Sequence, residues 1–204
     1  MSLSAAILAG GRARRYGGRD KGALVVDGRS IRERQLAALA PIAGDILIVG
    51  MSGAFRQGPD PGRTPIRAVP DRVTGCGPLG GLHTALVESA FEITIVLACD
   101  MPYVSSPLLL HLTTLARAGD ADAVVPRTDR GYHPLCAAYT RACLEPVARR
   151  LADGQLKMID LFEDVRVRAV DAEELRAFGD VRRLLANVNS PADHRELEAD
   201  QPSS

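Results

Sequence analysis

The chain has 204 residues, 46% of them hydrophobic and 25% charged, with 25 Lys plus Arg set against 25 Asp plus Glu, so the formal charge is zero. Such a chain is long enough to bury a sizeable core and carries no long-range field that would draw it to nucleic acid or to an anionic membrane. Trp is absent and only 4% of residues are aromatic, which also argues against a surface that stacks exposed bases.

The first element is a short apolar run, Ser4 to Leu8, and Asp45 to Val49 and Ile93 to Cys99 repeat the pattern. Continuous apolar runs bounded by turn residues predict strands buried on both faces, which belong to parallel sheets. Between the first two, Ser30 and Glu33 have capping-box spacing ahead of Ile31, Leu36 and Leu39, with Pro41 as the stop. Next come an extended segment at Ile66 to Val69 and a helical stripe of Leu79, Leu82, His83, Leu86 and Val87. Ser106 is the expected N-cap of a helix beginning with Pro107 and carrying Leu108, His111, Leu112 and Leu115. Strands at Ala121 to Pro126 and Leu135 to Tyr139 follow, then a helix from about Cys143 to Ala152 and another at Pro191 to Glu198, capped by Ser190.

The expected fold is a single α/β, Rossmann-like layered domain over residues 1–204, with a mostly parallel central sheet, helices on both faces and a short tail from about residue 199. Cys76, Cys99, Cys136 and Cys143 form no C-x-x-C pair, and the apolar runs are too short to cross a bilayer. A reduced, cytoplasmic chain without membrane or nucleic-acid partners is therefore expected.

Ligands of such a sheet bind beyond the carboxyl ends of its strands, which directs attention to the loops after Leu8, Val69, Cys99 and Tyr139. The first loop, Ala9 to Lys21, contains Gly10, Gly11, Arg12, Arg14, Arg15, Gly17, Gly18 and Arg19. Adjacent glycines let backbone N–H groups approach an oxyanion, and the basic side chains add charge, so the loop has the chemistry of a polyphosphate cradle. It lacks the Walker A spacing. A G-x-G-x-x-G string does occur at Gly75 to Gly80, but Pro70 to Thr74 separate it from the preceding strand, whereas a dinucleotide fingerprint needs its glycines in the strand-to-helix turn. Gly77, Gly80 and Gly81 can instead form a wall against which a flat base or pterin lies. Asp100, in Cys99-Asp100-Met101-Pro102-Tyr103 after the most apolar strand, brings a carboxylate to the same edge. A carboxylate facing phosphates needs a cation between them, and magnesium is the expected one.

Leu8-Ala9-Gly10-Gly11, Arg15, Gly17, Asp20-Lys21, Gly77-Pro78-Leu79, Cys99 to Tyr103 and Asn187-Val188-Asn189-Ser190-Pro191 together resemble the molybdenum cofactor guanylyltransferases, the MobA family, over about residues 4–197. The resemblance implies transfer of GMP from magnesium-GTP to molybdopterin. It implies nucleotide contacts from Leu8, Ala9, Gly10, Gly11, Lys21, Asp71, Gly77 and Asp100, with Asp100 as the Mg2+ ligand. It places Gly81, Lys157, Asn187 and Asn189 on the pterin side, and leaves Arg15, Lys21 and Asp100 as the catalytic group. The partners implied are GTP, molybdopterin or molybdenum cofactor, and cofactor-biosynthesis proteins or acceptor molybdoenzymes. Two positions depart from the family pattern: Val49 stands for an asparagine, and Lys157 for an arginine, which keeps charge but loses the bidentate fork.

Because the attacking group is already an anionic phosphate, the reaction needs positioning and charge neutralisation more than a general base. Rival readings are a cytidylyltransferase or other small-metabolite nucleotidyltransferase, a non-catalytic nucleotide-binding module, and an NAD-dependent oxidoreductase. His83 and His111 lie on apolar helical stripes as core or boundary residues; His133 precedes Pro134 beside the expected site, and His194 lies on a solvated face.

Overall fold

In the computed structural model, which describes residues 3–9, 21–51, 64–190, 192, 193 and 195, the run Ser4–Leu8 forms strand β1 at the centre of the sheet. Its side chains alternate between two cores, as a strand covered on both faces requires: Ala5 and Ile7 join one, Ala6 and Leu8 the other. A hairpin of β2 (Val25–Val26) and β3 (Arg29–Ser30) follows, turning at Asp27 and Gly28, both at positive φ (47° and 77°). Asp-Gly is the pair that such a turn selects.

Helix α1 (Ile31–Leu39) starts with the expected capping box: Glu33 N–H donates to Ser30 Oγ at 3.2 Å and Ser30 N–H to the Glu33 carboxylate at 2.8 Å. Strands β4 (Asp45–Val49), β5 (Ile66–Val69) and β6 (Ile93–Ala98), helix α2 (Gly77–Glu88) and helix α3 (Ser106–Arg117) continue the alternation. The cap of α3 lies one residue earlier than expected. Ser105 accepts from Leu108 N–H, while the Ser106 hydroxyl donates to Ala38 O at 2.7 Å and ties α3 to the end of α1.

Strands β7 (Ala123–Thr128), β8 (Gly131–Tyr132) and β9 (Cys136–Thr140) precede α4 (Leu144–Ala152), and β10 (Val167–Val170), α5 (Ala172–Leu175) and α6 (Val181–Leu184) follow it. The main sheet has the order β10-β7-β9-β6-β1-β4-β5, with β8 paired to β7. Among the described strands of this order only β9 runs antiparallel to its neighbours. Helices α1, α3, α5 and α6 cover the face that holds Ile7, Ile95 and Leu97, and α2 and α4 cover the face that holds Leu8, Val49 and Val96. A third, small cluster gathers Val26, Ile31 and Val188 with Leu24 and Tyr103.

The fold is thus an α/β layered domain with a mostly parallel sheet. Of the terminal helix expected at 191–198, residues 192, 193 and 195 are helical, and Asp193 N–H donates to Ser190 Oγ, the cap the sequence named. Among the described residues no helix is long and apolar enough to cross a membrane.

Candidate active site

Strand register decides which loops meet. Leu8 pairs with both Val49 and Ala98, and Val49 pairs with Val69, so four parallel strands end in one row. The loops after them open on the same edge. The loop after Tyr139 does not: β9 is antiparallel, and Thr140 pairs with Ile93 at the amino edge. What β9 contributes to the carboxyl edge is the segment before it, where Leu135 O accepts from Ala98 N–H and His133 Nε2 lies 2.9 Å from Thr128 Oγ1. Burial and the nearby Arg130 lower the His133 pKa, which favours a neutral ring.

Lys21, Asp100 and Asn189 converge on this edge. Lys21, in a 3-10 turn over Lys21–Ala23, donates to Asn189 Oδ1 at 2.5 Å, and its Nζ lies 3.7 Å from Asp100 Oδ2. The Asp100 side chain is only 15% exposed. Burial, opposed by the weaker pull of Lys21, raises its pKa above the usual carboxylate value. Its other oxygen, Oδ1, is buried without a hydrogen-bond partner among the described residues.

A stranded carboxylate oxygen costs on the order of 1–3 kcal/mol, and the contrast with the amino edge is informative. There, buried Asp45 is satisfied by Arg67, Ser4 Oγ and Ala90 N–H. Asp100 Oδ1 therefore fits a hard cation as its missing partner. A magnesium ion is commonly held through one or two carboxylates, with phosphate oxygens and water as its other ligands.

The segment 187–189 reaches the edge through Val188. Its N–H donates to Asp100 O at 2.7 Å, and its side chain is fully buried beside Val26 and Ile31. Asn187 and Asn189 on either side are exposed, the alternation an extended segment produces. The two amides differ in environment, however, because Asn189 carries the bond to Lys21. Tyr103, stacked under the Arg183 guanidinium at 4.3 Å, fastens α6 to the stretch that carries Asp100.

The glycines divide by role. Gly77, at φ +58°, opens α2 with nothing within 4 Å of where a Cβ would lie. Gly80 and Gly81 are buried within the helix. A Cβ on Gly80 would meet Val73 O at 3.0 Å, and one on Gly81 would meet Leu8 Cδ1 at 3.1 Å. Their absent side chains let α2 approach its own loop and β1, so the glycine wall is in part a packing device. Gly81→Ala is expected to destabilise the fold by ~1–3 kcal/mol through overpacking, measured by denaturant unfolding. Unchanged stability with lost ligand affinity would return Gly81 to the wall.

Leu8 is buried, and Ala9 N–H donates to Val49 O at 2.8 Å. Asp71 is half-buried on the loop after β5, and Lys157 is exposed before a 3-10 turn over Met158–Glu163, outside the contacts that join Lys21, Asp100 and Asn189. Gly10, Gly11 and Arg15 lie outside the described residues. The G-x-G-x-x-G string falls on the turn and start of α2, with five residues (70–74) between the end of β5 and Gly75, which is not the tight turn of a dinucleotide fingerprint. His111 is a boundary residue, 2.7 Å from Glu174 and packed on Phe178. His83, on α2, keeps a buried Nδ1 without a partner among the described residues. All four cysteines are free, and burial pushes Cys136 and Cys143 up to about 12.

A cationic side chain and a buried carboxylate meet at the carboxyl edge of a mostly parallel sheet, where ligands of layered α/β domains bind. The sequence fits the MobA-like NTP transferase domain over residues 5–168, and the chain belongs to that family. It is 35% identical to a probable molybdenum cofactor guanylyltransferase of Pelotomaculum thermopropionicum over 95% of this chain and 90% of the relative. It is 30% identical to a molybdenum cofactor guanylyltransferase of Desulfosudis oleivorans over 97% and 95% respectively. Among solved structures, molybdopterin-guanine dinucleotide biosynthesis protein A of Archaeoglobus fulgidus superposes with a TM-score of 0.78 at 26% identity, over 96% of this chain and 97% of that one.

Proposed function

We propose that this chain transfers GMP from magnesium-GTP to the terminal phosphate of molybdopterin, releasing pyrophosphate and forming the guanine dinucleotide form of the cofactor. The observation that carries the reading is the meeting of Lys21, Asp100 and Asn189 at one sheet edge, with Asp100 Oδ1 lacking a partner among the described residues. The names of the full-length relatives in the same family support the choice of substrates. In this reading one nucleotidyltransferase domain spans residues 1–204, with a tail from about 199, and works in the cytoplasm.

A phosphate oxygen of molybdopterin attacks the α-phosphorus of GTP, the bond from that phosphorus to the bridging oxygen breaks, and pyrophosphate leaves with the bonding pair. Lys21 binds the phosphates and neutralises charge gathering on the leaving group, and Arg15 is assigned the same task from its place in the loop. Asp100 would hold the magnesium, which would screen the phosphates and withdraw charge from them. Leu8, Ala9, Gly10, Gly11, Asp71 and Gly77 contact the nucleotide, and Asn187, Asn189, Lys157 and Gly81 serve the pterin side. Asn189 touches both groups through Lys21.

The test is magnesium-dependent pyrophosphate release with each of the four NTPs in the presence and absence of molybdopterin. Release that needs both GTP and molybdopterin is expected. A preference for CTP would make the chain a cytidylyltransferase, and binding of GTP without release would make it a non-catalytic module.

A further inference from the structure

The buried face of α1 is formed by Ile31, Gln35 and Leu39, one helical turn apart, so a polar side chain occupies the middle of an otherwise apolar stripe. Gln35 is fully buried. Its single side-chain nitrogen donates to Ala98 O at 2.6 Å and to Met101 O at 3.1 Å, the two carbonyls that bracket Cys99 and Asp100. Its oxygen is buried without a partner among the described residues. A leucine or methionine would fill the same volume without stranding an acceptor, so what the amide adds at this place is two donors on one atom.

We infer that Gln35 is a positioning residue, which clasps the turn carrying Asp100 so that the carboxylate meets its cation without having to be ordered first. The inference rests on the assignment of Asp100 to the metal. The turn is held from two directions: Gln35 closes it through the carbonyls of residues 98 and 101, and Val188 N–H fixes the carbonyl of Asp100 itself. Of these, only Gln35 acts through a side chain, and so only Gln35 can be removed without altering the backbone. A partner that orients a metal ligand without touching the metal commonly governs metal affinity.

The full chain is tested with Mn2+ as the probe, its binding followed by electron paramagnetic resonance in the presence of GTP, and with hydrogen exchange in metal-free protein of the amides within 99–103, those of residues 99–101 and 103. Gln35→Met should weaken Mn2+ binding by about tenfold or more, leave GTP binding in EDTA unchanged, and speed exchange across 99–103. Gln35→Glu, equal in size but able to donate at most one proton, should weaken Mn2+ binding as well, and it stands in if the methionine variant does not fold. A folded variant with parental Mn2+ affinity overturns the inference, whatever its stability, because a purely structural role would lower Tm alone. Asp100→Asn is the control. If it leaves Mn2+ binding intact, the metal assignment falls, and exchange across 99–103 then decides for or against the clasp alone.

Discussion

Replacing Asp100 by asparagine is expected to remove most nucleotidyl transfer, on the order of 10²- to 10³-fold, while the metal-free protein at pH 7 melts no lower than the parent. The two halves of this result have one cause. Burial holds the Asp100 pKa above the ordinary carboxylate value even with Lys21 nearby, so the folded state favours the protonated form more than the unfolded chain does. Its contribution to stability is present below the unfolded carboxylate pKa and is lost as pH rises through the raised folded pKa. At neutral pH the ionised group therefore opposes folding. An amide carries no charge to bury, but it is a poor ligand for a hard dication. Pyrophosphate release over a magnesium titration, paired with calorimetric melting, checks both halves. Near-parental turnover at limiting magnesium would remove Asp100 from the metal, and a clear drop in Tm would mean that its charge supports the fold.

Lys21→Ala is expected to weaken GTP binding and to slow transfer together, since the ammonium meets phosphate in both ground and transition states. A charge-assisted hydrogen bond is worth about 1.5–3 kcal/mol, or on the order of 10- to 100-fold in affinity. The 2.5 Å bond from Lys21 to Asn189 adds a second expectation. Asn187 and Asn189, read from sequence as an equivalent pair on the pterin side, should separate: Asn189→Ala should disturb nucleotide binding through Lys21, and Asn187→Ala should not. Titration calorimetry with magnesium-GTP on Lys21→Ala, Asn189→Ala and the double variant decides it, because residues that share one bond give losses that do not add. Additive losses would show that Asn189 acts apart from Lys21, and an unchanged GTP affinity in Lys21→Ala would place that lysine outside the phosphate site.

Much of this frame was legible in the sequence because burial on two faces leaves a plain trace: Ser4–Leu8, Asp45–Val49 and Ile93–Ala98 are buried throughout and apolar except at Ser4, Asp45 and Thr94. The capping box at Ser30 and Glu33 reads equally directly, since both partners lie within four residues. The direction of β9 did not, because Cys136–Thr140 reads the same in a parallel or an antiparallel strand; only pairing with β6 and β7 sets it, and with it the edge on which His133 lies. The small hairpin had a signal, Asp27-Gly28, but its strands are two residues each, too short for a period to show.

At the site, Lys21 and Asp100 were legible from the loop and strand that carry them, whereas the bond to Asn189 spans 168 positions and depends on where Val188 docks. Gln35 was the reverse case. A glutamine between Ile31 and Leu39 is visible as an interruption of an apolar stripe, but what it holds, the carbonyls of residues 98 and 101, is visible only in three dimensions.

The seating of Val188 among Val26 and Ile31 also bears on the order of assembly. The central parallel strands, from residue 4 to residue 98, can pair as soon as that length of chain exists, yet the lysine and carboxylate they present gain Asn189 only when a segment about ninety positions later arrives. Contacts of such long sequence separation close late, after their loop entropy has been met. During synthesis the four strands up to residue 98 can therefore pair before Asn189 exists, and the Lys21–Asn189 contact closes after them.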